Sequence, residues 1–184
     1  GHRGIQVSIA ALTGILVGLG CATDRVTGKK EFNFYSLNDD VKLGQSALQA
    51  NSEEMRKAGV PINKKPSRKS MIENVVQRIS AVSDLPELPY TVTLYHTNIV
   101  NAAAAPGGSI FVFDGLFDPT EGLVREDDVN ELAAVMAHEI AHVNCRHVTE
   151  RLSKLNAGNF LTEFVAAIAL QGNNEQTART VRDV

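Results

Sequence analysis

Three residues on one short stretch have the types and spacing that metal-assisted hydrolysis requires. They are His138, Glu139 and His142, within His138-Glu139-Ile140-Ala141-His142. On a helix, residues four apart project from one face, about 40° apart around the axis. Two imidazoles so placed can each give a nitrogen to a single Zn2+ ion, which accepts neutral imidazole and in catalytic sites keeps a position open for water. Glu139 follows the first of them and can lie beside the metal without ligating it. Zinc brings the pKa of water close to neutral, so a carboxylate there is a strong enough base to take its proton and pass it to a departing amine. The chemistry implied is hydrolysis of a peptide bond with no covalent intermediate on the protein. The rival reading is a surface helix whose two histidines are merely solvated. The flanks favour the metal, since Ala133, Ala134, Val135, Ala137 and Val143 are small or apolar, as a buried metal helix needs.

Other candidate side chains are weaker. His147 lies five positions past His142, about 140° round a continuous helix, and is expected to be a surface residue that cannot share the metal. His96 is expected in a strand-end loop, and Cys145 as a small buried thiol.

The elements that must position the site follow from patterning. Asp128-Val129-Asn130-Glu131 has capping-box spacing, predicting a long helix from there to about Leu155. Asn156 to Asn159 ends it, and an apolar helix over Phe160 to Leu170 and a polar tail follow. Upstream, Asp39 or Asp40 is placed to cap a first helix reaching Lys57, with Val41, Leu48 and Met55 at heptad spacing. Ile72, Val75, Val76, Ile79 and Val82 mark one face of a second helix over Ser70 to Val82. Tyr90 to Tyr95 alternates and reads as a strand, and Ser109 to Phe113 as another after the turn Pro106-Gly107-Gly108. The basic run from Lys64 to Lys69 reads as a solvated loop and helix start, with contact to anionic lipid as the sharper alternative.

Composition limits the classes of function. The 184 residues are 43% hydrophobic and 21% charged, as in an ordinary globular fold. A net charge of −3 and the lack of Trp argue against a nucleic-acid partner. Residues Ile5 to Gly20 form an apolar run after Arg3, the layout of a secretory signal, and about 20 residues are needed for a span. Cys21 directly after it is placed for lipid attachment, although Leu19 stands two positions before the cysteine where the usual lipoprotein pattern has Leu three before. The alternatives are an uncleaved anchor or a buried helix with an incidental cysteine. Residues 1–20 are therefore read as a leader and 21–39 as a polar tether, anchoring the protein to a membrane through Cys21.

Longer stretches carry a family resemblance. VTGKKEFN, VKLGQ, PELPYTVTLYHTN, NAAAAPGGSIFVFDGLF (Asn101 to Phe117) and NELAAVMAHEIAHVNCRHVTER (Asn130 to Arg151) resemble the HtpX/BepA/LoiP-like gluzincin metallopeptidases, relatives of the CAAX prenyl proteases. In Asn101 to Gly108, Ala103 stands where similar sequences carry an aromatic. The resemblance implies an α+β, mostly helical zincin-like domain over 40–184, with a small β-sheet or hairpin beside the metal helix. It implies one Zn2+ per chain and a role in protein quality control in the bacterial cell envelope; the leader and Cys21 add the expectation of a membrane-anchored periplasmic lipoprotein. It also implies that unfolded or misassembled protein substrates bind as an added strand, at an edge matched here to about Gly107 to Asp114.

One element of the family pattern is missing. Its third zinc ligand is a Glu on a later helix, in an E-x-x-A-D-like pattern, and nothing after His142 matches. Glu150 and Glu163 have the wrong context, and Glu175 sits in a polar tail without an Asp partner. The third ligand is expected beyond Val184, in a longer peptidase of which this is the N-terminal part. The competing expectation is a non-catalytic, degenerate peptidase fold serving as an envelope chaperone or scaffold.

Overall fold

The computed structural model describes residues 21–23, 28, 30–126 and 128–154. The apolar leader, the helix expected over Phe160 to Leu170, the polar tail, Glu163 and Glu175 lie outside the described residues. Two short strands, β1 (Cys21–Thr23) and β2 (Lys30–Phe32), pair antiparallel, so the stretch read as a tether carries a ribbon of its own. Helix α1 (Leu37–Lys57) begins earlier than expected, because Ser36 rather than Asp39 or Asp40 is the cap. Ser36 Oγ accepts from the Asp39 N–H at 3.2 Å and the Asp39 carboxylate accepts from the Ser36 N–H at 3.0 Å, a reciprocal capping box. The buried line on α1 is Asp40, Gly44, Ala47, Asn51 and Met55, one position off the expected Val41 and Leu48, which are only partly buried.

Helix α2 (Pro66–Ser80) starts with Pro at its first turn, where no intrahelical N–H is needed, and stops before Val82. Val82 is 85% exposed, against the expectation that it continues the apolar face. Much of the basic run is paired: Lys65 and Arg68 with Asp114, Arg68 also with Glu126, and Lys69 with Glu73.

The sheet has three strands: β3 (Thr91–Tyr95), β4 (Ala102–Ala105) and β5 (Ser109–Phe113). Their order is β3-β5-β4, with β3 parallel and β4 antiparallel to β5. The two strands expected from sequence are therefore parallel neighbours, and the strand between them in the chain, β4, is an addition to that expectation. Strand β5 is buried along its whole length because it is central and covered on both faces. Ile110 and Val112 pack with Val75 and Val76 of α2 and with Leu132, Met136 and Ile140 of α3 (Val129–Asn144). Phe111 and Phe113 point the other way, to Tyr95 and to Ala47 and Met55 of α1. The architecture is α+β and mostly helical, as expected, with α1 on one face of the sheet and α2 and α3 on the other.

Helix α3 begins where its sequence says it should. Asp128 accepts from the N–H groups of Asn130 and Glu131 at 3.0 and 3.1 Å, while Glu131 turns to Arg125 instead of completing the box. Its end differs from expectation. The helix stops at Asn144, Cys145 caps it, and Arg146 adopts φ 52, a left-handed conformation rare for a side chain with a Cβ. Helix α4 (His147–Lys154) then sets off separately. The amide of Asn33, just after the ribbon, links to Thr149 and Ser153 of α4 at 3.2 Å each. Among the described residues, no helix is long and apolar enough to cross a membrane.

Candidate metal centre

Helix α3 buries Leu132, Met136, Ile140 and Val143, at spacings of four, four and three. That fixes its rotation and turns His138 and His142 outward; both are exposed among the described residues, rather than enclosed by the alanines that flank them. Their Nε2 atoms converge to 3.0 Å, with the rings edge-on and centroids 4.6 Å apart. Two imidazole nitrogens that meet on one side of a helix suit a Zn2+ ion, for which neutral imidazole is a good ligand. Burial, together with the neighbouring His138 and His147 rings, pushes the His142 pKa down, which favours the neutral, metal-binding form. Two nitrogens are thus brought together on one side of α3. Among the described residues, no group of three or more His, Cys, Asp or Glu is placed to hold a metal.

Glu139 points to the sheet side. Burial pushes its carboxyl up to about 7, against the backbone N–H of Ala104, which donates to it and favours the ionised form. A carboxyl that titrates near neutral pH suits a general base. The contact with Ala104 places the glutamate at strand β4. Phe113 donates to the carbonyl of Asn101 at 3.1 Å, so Asn101, Ala103 and Ala105 face β5. Ala102 and Ala104 therefore turn their N–H and C=O groups to the outer edge. The edge beside α3 is Ala102–Ala105, which corrects the expected Gly107 to Asp114: β5, the strand in that segment, is paired on both sides. Alanine has little strand preference, and only the following Pro106-Gly107-Gly108 turn hinted that a strand ended there.

The other histidines fall in two places. His96 lies after β3, with Nδ1 2.6 Å from Asp114 Oδ2 and Nε2 accepting from the Lys64 N–H at 2.8 Å, in keeping with a strand-end loop role. His147 does not sit on the far side of a continuous helix. Because α3 breaks at Cys145 and Arg146, the His147 ring returns to His142, with their Nδ1 atoms 3.0 Å apart. Cys145, expected to be buried, is partly exposed at the helix cap.

Comparison with known proteins gives the family of the chain. The model of peptidase family M48 matches residues 66–182. The chain is 31% identical over 145 residues to the mitochondrial metalloendopeptidase OMA1 of Schizosaccharomyces pombe, covering 79% of this chain and 40% of that protein. It is 32% identical over 94 residues to a putative beta-barrel assembly-enhancing protease of Vibrio cholerae, covering 51% of this chain and 18% of that protein. The beta-barrel assembly-enhancing protease of Escherichia coli is 27% identical over 96 residues, covering 52% and 18%. The chain spans less than half the length of these relatives. With a family match across well over half of its residues, α3 and β4 included, the chain belongs to peptidase family M48.

Proposed function

We propose that this chain carries the core of a zinc-dependent endopeptidase in which His138 and His142 bind the metal and Glu139 is the general base. The observation that carries the reading is the pair of converging Nε2 atoms on α3, with the next residue after His138 placing a buried carboxyl, raised to about 7, against the N–H of an edge strand. Zinc, when bound, polarises a carbonyl and a water. The protein supplies the rest. Glu139 takes a proton from water and returns it to the departing amine, while Ala102 and the Ala104 carbonyl offer backbone groups to an extended substrate lying along β4. A third protein ligand, which no described residue supplies, completes the set.

A strand-like substrate must have its backbone free of other pairing, so unfolded or misassembled proteins are the natural class. The names of the bacterial relatives, which refer to β-barrel assembly, support quality control in the cell envelope, with the membrane reached through Cys21. The test uses the full natural protein and one reduced, unfolded protein substrate. Removal of metal by a chelator should abolish cleavage and one equivalent of zinc should restore it, with the folded form of the substrate left intact. Cleavage by the stripped protein would contradict the reading.

A further inference from the structure

We propose that His147 is a positioning residue for His142. Its Nδ1 accepts the hydrogen bond that His142 donates from Nδ1, which fixes the ring with Nε2 free for metal. The inference rests on the reading of His138 and His142 as ligands.

A neutral imidazole has one N–H and one lone pair. If His142 gives its Nε2 lone pair to a metal, its Nδ1 carries the proton and must donate to something. Partners of this kind orient metal-binding histidines and tune their affinity. The acceptor here is Nδ1 of His147, at 3.0 Å, on the side of the His142 ring away from His138 Nε2. The two rings meet edge-on, at 67° with centroids 5.2 Å apart. That placement also excludes His147 as a ligand to the same ion, because it addresses the opposite nitrogen. His147 must then hold its own proton on Nε2.

The fold goes to some length to bring His147 there. On an unbroken helix it would lie about 140° away from His142. Instead α3 ends at Asn144, and Arg146 takes a left-handed backbone conformation. The Arg146 side chain is tied to Asp40 at 2.6 Å and to the Tyr35 carbonyl at 2.5 Å, so the turn is anchored from outside. Helix α4 restarts at His147 itself.

The test compares His147→Ala, His147→Asn and His142→Ala in the full natural protein. Zinc affinity is read by competition with a chromophoric chelator, and the metal-free proteins are melted in parallel. His147→Ala should weaken zinc binding about 10- to 100-fold. His147→Asn, whose Oδ1 takes the place of Nδ1 as acceptor, should bind within about threefold of the parent. Neither change should move the melting temperature of the metal-free form, since His147 is exposed. Nitrogen NMR of the zinc-loaded parent should show the proton on Nδ1 of His142 and on Nε2 of His147. Unchanged affinity in His147→Ala, equal losses in Ala and Asn, or a fall in metal-free stability that tracks the affinity loss would each overturn the proposal. If His142→Ala also leaves affinity unchanged, the ligand assignment itself fails, which separates that failure from failure of His147's role.

Discussion

Arg146 Nε lies 2.6 Å from Asp40 Oδ2, joining residues 106 positions apart in sequence. The same guanidinium bonds the second Asp40 oxygen at 3.0 Å and the Tyr35 carbonyl at 2.5 Å. The left-handed residue just past the end of α3 is thus clamped to the first helix. Asp40 is only 2% exposed, and its burial pushes the carboxyl pKa up while Arg146 opposes that shift.

Arg146→Met should therefore cost about 3 kcal/mol of stability, because it strands a buried carboxylate. Chemical denaturation reads the loss. Adding Asp40→Asn should recover part of it, and strictly additive losses would show that the two are not coupled.

Gly44 offers a second handle. A Cβ there would lie 2.0 Å from the carbonyl oxygen of Pro106, backbone that cannot step aside. Helix α1 comes this close to the turn that follows edge strand β4, and Gly107 in that turn has φ 72. Gly44→Ala should cost about 1–3 kcal/mol. It should also lower kcat/KM for an unfolded substrate by displacing the edge. A stable, fully active variant would contradict this placement.

Asp114 sets a pH dependence. Burial alone would raise its pKa, but hydrogen bonds from Lys65, His96 and Arg68 together outweigh that and hold it at about 2. A depressed carboxyl stabilises the fold fully above its ordinary value of 3.8, and the contribution is lost as pH falls through about 2. Asp114→Asn should melt lower than the parent at pH 7, and the gap should narrow between pH 4 and pH 2. A gap constant with pH would mean that the carboxylate's charge is not what stabilises this corner.

What sequence made legible was what local chemistry decides. The start of α3 follows from the Asp128 cap, and the meeting of His138 with His142 from the fixed four-residue helical spacing. Strand β5 is legible as a short apolar run. The misses are decisions made by distant contacts. No Gly or Pro marks the break at Arg146; the tie to Asp40 holds it, and without that tie His147 reads as a residue on the wrong face. Strand β4 is four alanines, a strand only because β5 pairs with one side and α3 packs nearby. Parallel pairing of β3 with β5 leaves no local trace, so two strands and a turn read as a hairpin. The Ala104 N–H facing Glu139 is a backbone group, invisible to any scan of side-chain types.

The most direct test of the central claim is Glu139→Gln in the full natural protein, with zinc content and proteolysis measured on the same sample. The amide keeps the shape of the side chain but cannot take a proton from water. Zinc should stay at about one per chain, and cleavage of an unfolded substrate should fall by about 10²- to 10⁴-fold. Undiminished proteolysis in a variant that still holds its zinc would contradict the assignment of Glu139 as the base.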